Sequence, residues 1–182
     1  MLTSEFRARS TLPMTPPELR WPPTADEPRL VAIESFVLIG RPAPTVFEFV
    51  TNASLWHLWH PATAAVSRTT PRPLQTGERV TESIRVGRRQ LSATWTVLAC
   101  EAPTLWVIAT ATPEGDARIV YELREDGALT RFFRTLSYRS RRWPWTMFDR
   151  NLTRAALLRQ SERALVNLKR VLEGGRVGQV GV

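Results

Sequence analysis

The sequence predicts an α+β domain in which a curved antiparallel sheet of about seven strands is covered by one long C-terminal helix, with two short helices after the first strand. Three observations carry this reading. Between Ala64 and Tyr138 short segments of alternating apolar and polar residues are separated by turn signals, the pattern of consecutive hairpins. After Pro144 the period changes to that of a helix and stays helical until Gly174-Gly175. Before the sheet, Val46, Phe47 and Val50 fall at helical spacing between Pro44 and Pro61.

The elements can be justified in chain order. Residues 1–28 carry six of the chain's prolines, from Pro13 to Pro28, with little periodicity, and read as an arm without a core of its own. The run from Leu30 to Ile39 is a strand closed by Gly40 and Pro42. Thr45 is a candidate N-cap for a helix over Val46 to Thr51, and Leu55, Trp56 and Trp59 form a second helical turn that Pro61 stops. Strands are then expected over Ala64–Thr69, Val80–Val86, Leu91–Ala99, Leu105–Thr112, Arg118–Arg124 and Thr130–Tyr138. In the third of these, Leu91, Ala93, Trp95, Val97 and Ala99 share one face. Gly87-Arg88 and Asp126-Gly127 supply hairpin turns. The long helix carries a stripe of Phe148, Leu152, Ala155, Leu158, Leu165, Leu168 and Leu172. The domain therefore spans residues 29–174, and residues 175–182 form a flexible tail.

Composition narrows the function classes. With 182 residues, 43% hydrophobic and 23% charged, the chain has the profile of one ordinary domain, which excludes a disordered or fibrous protein. A single cysteine, Cys100, permits no internal disulfide and favours a reducing compartment. The longest run without a formal charge, Phe49 to Ser67, contains Asn52, His57, His60 and Pro61, so no transmembrane helix is expected. The first thirty residues lack an apolar stretch of signal-peptide length, and a cytoplasmic location is expected. The net charge of +8 is uneven: residues 1–130 hold 13 basic and 14 acidic groups, residues 131–182 hold 12 and 3. Lys169 is the one lysine among them. Arg139, Arg141, Arg142 and the helix cations Arg150, Arg154, Arg159, Arg163 and Arg170 read either as a solvated face or as a surface for anionic headgroups. No nucleic-acid-binding motif accompanies them, and no nucleic acid partner is expected.

The stretch Ile39-Gly-Arg-Pro-Ala-Pro-Thr-Val-Phe-Glu-Phe-Val-Thr-Asn, continuing to Leu55-Trp-His-Leu-Trp-His-Pro61, resembles the N-terminal signature of polyketide cyclase/dehydrase-like members of the START and Bet v 1-like superfamily. The order of elements from Leu30 to about Glu173 matches as well. The resemblance implies a helix-grip fold, with the sheet wrapped around the long helix and an apolar cavity between them. It implies a small hydrophobic ligand, such as a lipid, a polyketide or an isoprenoid. A carrier, a sensor and a cyclase-like protein are all open, because fold does not choose among them.

Within that frame several residues could carry chemistry. His60, beside the implied cavity, is either a proton donor or acceptor or a residue that packs its segment. Glu82 and Arg134 each interrupt an apolar strand face. If they point inward they must pair with each other or hold a polar ligand group; otherwise they lie at strand ends or on the outer face. Trp59, Trp95, Trp106, Tyr121, Tyr138, Phe148 and Leu152 are candidates for the cavity lining or for plain core. His57 and His60 are three residues apart but lack a third ligand, so no metal is expected, and no cofactor. No nucleophile motif or phosphate-binding loop is present, and Cys100 has no activating neighbour. The leading expectation is a carrier, sensor or cyclase-like protein for an apolar ligand, acting as monomer or homodimer with peripheral membrane contact. The alternatives are a cyclase/dehydratase that closes rings by aldol chemistry, with Arg134 on an enolate and His60 or Glu82 moving protons, and a membrane-associated module delivering a lipid or quinone.

Overall fold

The computed structural model describes residues 30–67, 71–86, 89–113, 115–140 and 147–174, without the side chains of residues 30, 86, 89 and 147–150. The proposed arm and tail, the Gly87-Arg88 turn, and Pro144 with its neighbouring arginines lie outside the described residues. In order come β1 (Leu30–Ile39), α1 (Ala43–Thr51), a 3₁₀ turn (Ala53–Leu55), α2 (Trp56–Trp59), β2 (Thr63–Ser67), β3 (Arg79–Val86), β4 (Arg89–Glu101), β5 (Leu105–Ala111), β6 (Gly115–Asp126), β7 (Leu129–Ser140) and α3 (Met147–Leu172). The strands form one antiparallel sheet in the order β1-β7-β6-β5-β4-β3-β2. Strands β2 to β7 pair with their neighbours in sequence, as short hairpin connections dictate. α1 and α2 carry the chain from one edge of the sheet to the other, which frees β1 to pair with β7. The result is the expected helix-grip fold: a curled seven-stranded sheet holding α3.

Local chemistry places the helices. α1 starts at Ala43, earlier than Thr45 would cap it. Pro42 is its N-cap, and Pro44 occupies the first turn, where a missing N–H costs nothing. Asn52 ends α1, and its side chain accepts hydrogen bonds from Ser54 N (3.1 Å) and Ser54 Oγ (2.6 Å), turning the chain into α2. Trp56 Nε1 donates to Val50 O at 3.0 Å and locks the two helices together.

Two irregularities set which side chains face inward. Opposed residues share a face, so Val97 opposite Ile108 and Ala99 opposite Val107 must lie on opposite faces of β4. The expected single face from Leu91 to Ala99 is therefore broken by a β-bulge after Val97, which sends Ala99 outward and Cys100 inward against Trp106. A second bulge, between Thr63 and Ala65, aims Thr63 at the inner face opposite Ile84. The β6–β7 hairpin closes through Gly127 and Ala128, one residue beyond the expected turn; Gly127 has φ 63°, which glycine adopts without strain. Gly115 opens β6 where a Cβ would stand 2.4 Å from Arg139 O, so no larger residue fits there without backbone movement.

The core occupies the end of the sheet nearest α1. Val46, Val50, Trp106, Phe132, Ala164 and Leu168 are essentially inaccessible. The C-terminal end of α3 is clasped to the β1–α1 turn: Arg41 Nε donates to Leu172 O (2.8 Å), Lys169 Nζ to Leu38 O (2.6 Å), and Gly40 N to Glu173 Oε1 (2.6 Å). The expected stripe on α3 holds at Leu165, Leu168 and Leu172 but not in its first half. Leu152 is 55% exposed, and the inward positions belong instead to Thr153, Leu157, Gln160 and Ser161. The reason is that this half of the helix faces a partly polar space.

Candidate functional site

On four elements a boundary separates solid core from open space. On β7 it lies between Phe132 and Arg134, on β6 between Leu123 and Tyr121, on β5 between Trp106 and Ile108, and on α3 between Ala164 and Ser161. Beyond that boundary the curled sheet diverges from the straight helix. The space between them is a cavity of about 370 Å³, running toward the β5–β6 turn and the N-terminal half of α3. Its walls are mainly apolar: Trp56, Trp59, Ile84, Leu91, Ala93, Ile108, Ile119, Leu136 and Leu157 among others. A volume of this order suits a small organic molecule.

The floor is polar. Glu82, 5% exposed, accepts hydrogen bonds on both oxygens, from Thr63 Oγ1 (2.5 Å) and Trp95 Nε1 (2.8 Å). Arg134, 3% exposed, donates through Nη1 to Ser161 Oγ (2.6 Å). Its Nη2 lies 3.5 Å from His60 Nε2, and His60 Nδ1 lies 3.5 Å from Thr63 Oγ1, both at the long limit of a hydrogen bond. Arginine only donates, so Nε2 of His60 is the acceptor, and the imidazole hydrogen sits on Nδ1, facing Thr63. Thr63 in turn gives its own hydrogen to Glu82. The direction of donation thus runs without conflict from Arg134 through His60 and Thr63 to Glu82. Tyr121 lines the same floor, opposite Arg134 in the β6–β7 register.

Burial sets the protonation states. His60 is pushed down to about 3 by desolvation first and by the Arg134 charge second, so its imidazole is neutral at physiological pH. Glu82 is raised: desolvation outweighs the hydrogen bonds from Thr63 and Trp95 and the attraction of Arg134. Burial likewise raises Tyr121, against the opposing pull of Arg134. Among the described residues no carboxylate lies within ion-pair distance of Arg134, and four buried side-chain atoms have no hydrogen-bond partner: Nε of Arg134, Nε1 of Trp59, Oγ1 of Thr110 and Nε of Arg118. The first three belong to residues that line the cavity, and Arg118 does not.

The family model described as polyketide cyclase / dehydrase and lipid transport matches residues 31–173. The chain belongs to this family. Solved structures of similar fold agree. The Zhui aromatase/cyclase from Streptomyces sp. R1128 aligns with TM-score 0.68 at 17% identity over 84% of this chain and 98% of that one. The di-domain aromatase/cyclase BexL of the BE-7585A biosynthetic pathway gives TM-score 0.66 at 18% identity over 82% of this chain and 52% of that one. Ara h 8.0201 gives TM-score 0.58 at 8% identity over 79% of this chain and 98% of that one. No curated protein matches the sequence.

In this polyketide cyclase/dehydrase-family chain the residues singled out from sequence divide clearly. Trp59, His60, Glu82, Trp95, Tyr121, Arg134 and Tyr138 all line the cavity, and Glu82 and Arg134 are inward rather than at strand ends. They do not pair directly; His60 and Thr63 stand between them. Trp106 does not line the cavity. It lies behind the wall, stacked on Tyr121 with ring centroids 5.4 Å apart, and its Nε1 donates to Leu74 O at 3.1 Å. Leu152 is likewise outside the lining, turned to solvent by the rotation of the helical face. Phe148 falls on α3, and its side chain lies outside the described residues. His57 is exposed, away from His60's surroundings. Sequence reasoning misses Thr63 and Ser161. The signal for Ser161 is its phase, four residues after Leu157 and seven before Leu168; Thr63 is aimed inward by a bulge that no sequence pattern announces.

Proposed function

We propose that the protein binds a small, largely apolar molecule in the cavity between α3 and the sheet, with the polar part of that molecule at the Arg134 floor. The observation that carries this reading is the combination of apolar walls with an inward polar cluster of Arg134, His60, Thr63 and Glu82. An apolar cavity with a few convergent polar groups is the ordinary form of a small-molecule site. Family membership supports a ligand-binding or cyclase-like role.

One observation favours a second, enzymatic reading. Arg134, Tyr121, His60 and Glu82 surround one floor, so a cation that can stabilise an enolate oxygen stands beside a carboxyl group raised from its ordinary range. His60, held neutral, serves there as a hydrogen-bond relay. A cyclase/dehydratase built on this floor would close a ring by carbon–carbon bond formation and expel water. The two readings separate in one experiment: incubate the full chain with a panel of lipids and aromatic polyketone surrogates, and record native mass spectra. A carrier retains a panel member at unchanged mass; a dehydratase yields that member lighter by one water. Retention of no apolar compound contradicts both.

A further inference from the structure

We propose that the ligand of this cavity is an amphipathic carboxylic acid whose carboxylate docks on the Arg134 guanidinium, with its apolar body lying toward the β5–β6 turn. This rests on the apolar-ligand reading and names the chemical class within it.

The charge of the lining defines the class. Among the described residues Arg134 is the one arginine or lysine that lines the cavity. The group that best matches a guanidinium accepts hydrogen bonds and carries negative charge. A carboxylate does both, and its two oxygens match the planar fork of a guanidinium. The hydrogen-bond partners of the Arg134 side chain among the described residues are neutral: the Ser161 hydroxyl and the His60 imidazole. Among the described residues Glu82 is the sole carboxylate lining the cavity, and both of its oxygens are engaged by Thr63 and Trp95. A guanidinium surrounded by neutral groups in an apolar cavity is an unfavourable arrangement until a counter-ion arrives. The surroundings of the floor then select an apolar group attached to the carboxylate. Trp59 stands edge-on to His60 at 5.6 Å and beside Tyr121 at 6.3 Å, and the walls beyond are aliphatic.

The test uses matched pairs that differ only at the head: dodecanoate with methyl dodecanoate, and 2-naphthoate with methyl 2-naphthoate, titrated calorimetrically into the full chain. A charge-assisted hydrogen-bond pair predicts that each carboxylate which fits binds at least about tenfold more tightly than its ester. The alkyl and aryl pairs distinguish a fatty acid from an aromatic acid. Arg134→Gln should remove the preference, so that the carboxylate binds no more tightly than its ester. Dodecylammonium, with the same tail and the opposite charge, should bind the wild-type protein least, which tests the charge preference without any variant. Equal affinities for acid and ester overturn the carboxylate assignment while leaving the apolar-ligand reading intact. A preference that survives Arg134→Gln, or one abolished by salt as surface attraction would be, overturns it too. Binding of no member of either pair contradicts the inference and the proposed function together.

Discussion

Arg134 and Glu82 are opposite charges in one cavity that do not touch, and this separation decides how each behaves. Placed in contact, they would neutralise each other and leave nothing for a ligand. Held apart from Arg134 by His60 and Thr63, Glu82 is raised by burial, which outweighs the attraction of Arg134. That raised value links stability to pH. The folded protein holds the Glu82 proton to higher pH than the unfolded chain does. The stability tied to the protonated form is therefore complete below the ordinary carboxylate range and is lost as pH rises through the raised value. Glu82→Gln removes this loss. The variant should gain on the wild type as pH rises through and above the ordinary carboxylate range, by about 1.4 kcal/mol for each pH unit by which burial displaces Glu82. Urea denaturation at several pH values reads the gap, and a gap that is constant or shrinks with pH contradicts the assignment. Both charges are legible in the sequence, because each interrupts an otherwise apolar strand face. Their mode of coupling is not, since it depends on where His60 and Thr63 arrive after a helix and a bulge.

At the level of elements, α3 shows why a periodic apolar pattern can mislead. In its second half Leu165, Leu168 and Leu172 meet packed core, and pattern and burial agree. In its first half the inward face meets the cavity, so Thr153, Gln160 and Ser161 are inward and Leu152 is left in solvent. A search for leucines at helical spacing necessarily selects the wrong side there. The two sides should respond differently to substitution. Leu152→Ala is expected to change stability by no more than about 0.5 kcal/mol, as for an ordinary surface site. Ser161→Leu removes the hydroxyl that receives Arg134 and should cost about 1–3 kcal/mol, because a buried donor of a charged group loses its partner. Thermal denaturation of the pair checks both; a larger loss at Leu152 than at Ser161 would reverse the placement of the helix face. The sheet is more legible. Consecutive hairpins impose the order of β2 to β7, and bounds differ from expectation by a few residues. The exception is β4, where the bulge after Val97 sends Ala99 to the opposite face.

For the whole molecule, the positive charge and the cavity occupy different surfaces. Arg159, Arg163 and Arg170 lie on the exposed side of α3, opposite the face that closes on the sheet. They govern how the helix meets solvent or an anionic surface, while among the described residues Arg134 alone brings positive charge into the cavity. No helix among the described residues is long and apolar enough to cross a membrane. The α+β layout can be read from patterning alone, but the cavity cannot: no periodicity distinguishes a helix packed along its whole length from one that leaves a gap. The gap comes from sheet curvature, which a resemblance to known relatives implies and the fold contains. The most direct measurement is a crystal structure of the full chain grown with 2-naphthoate. The expected result is the ring between α3 and the sheet, beside Trp59 and Tyr121, with its carboxylate on the Arg134 guanidinium. Naphthoate bound elsewhere, or side chains collapsed into the space so that Arg134 meets only protein, would contradict a ligand-binding cavity with Arg134 as its floor.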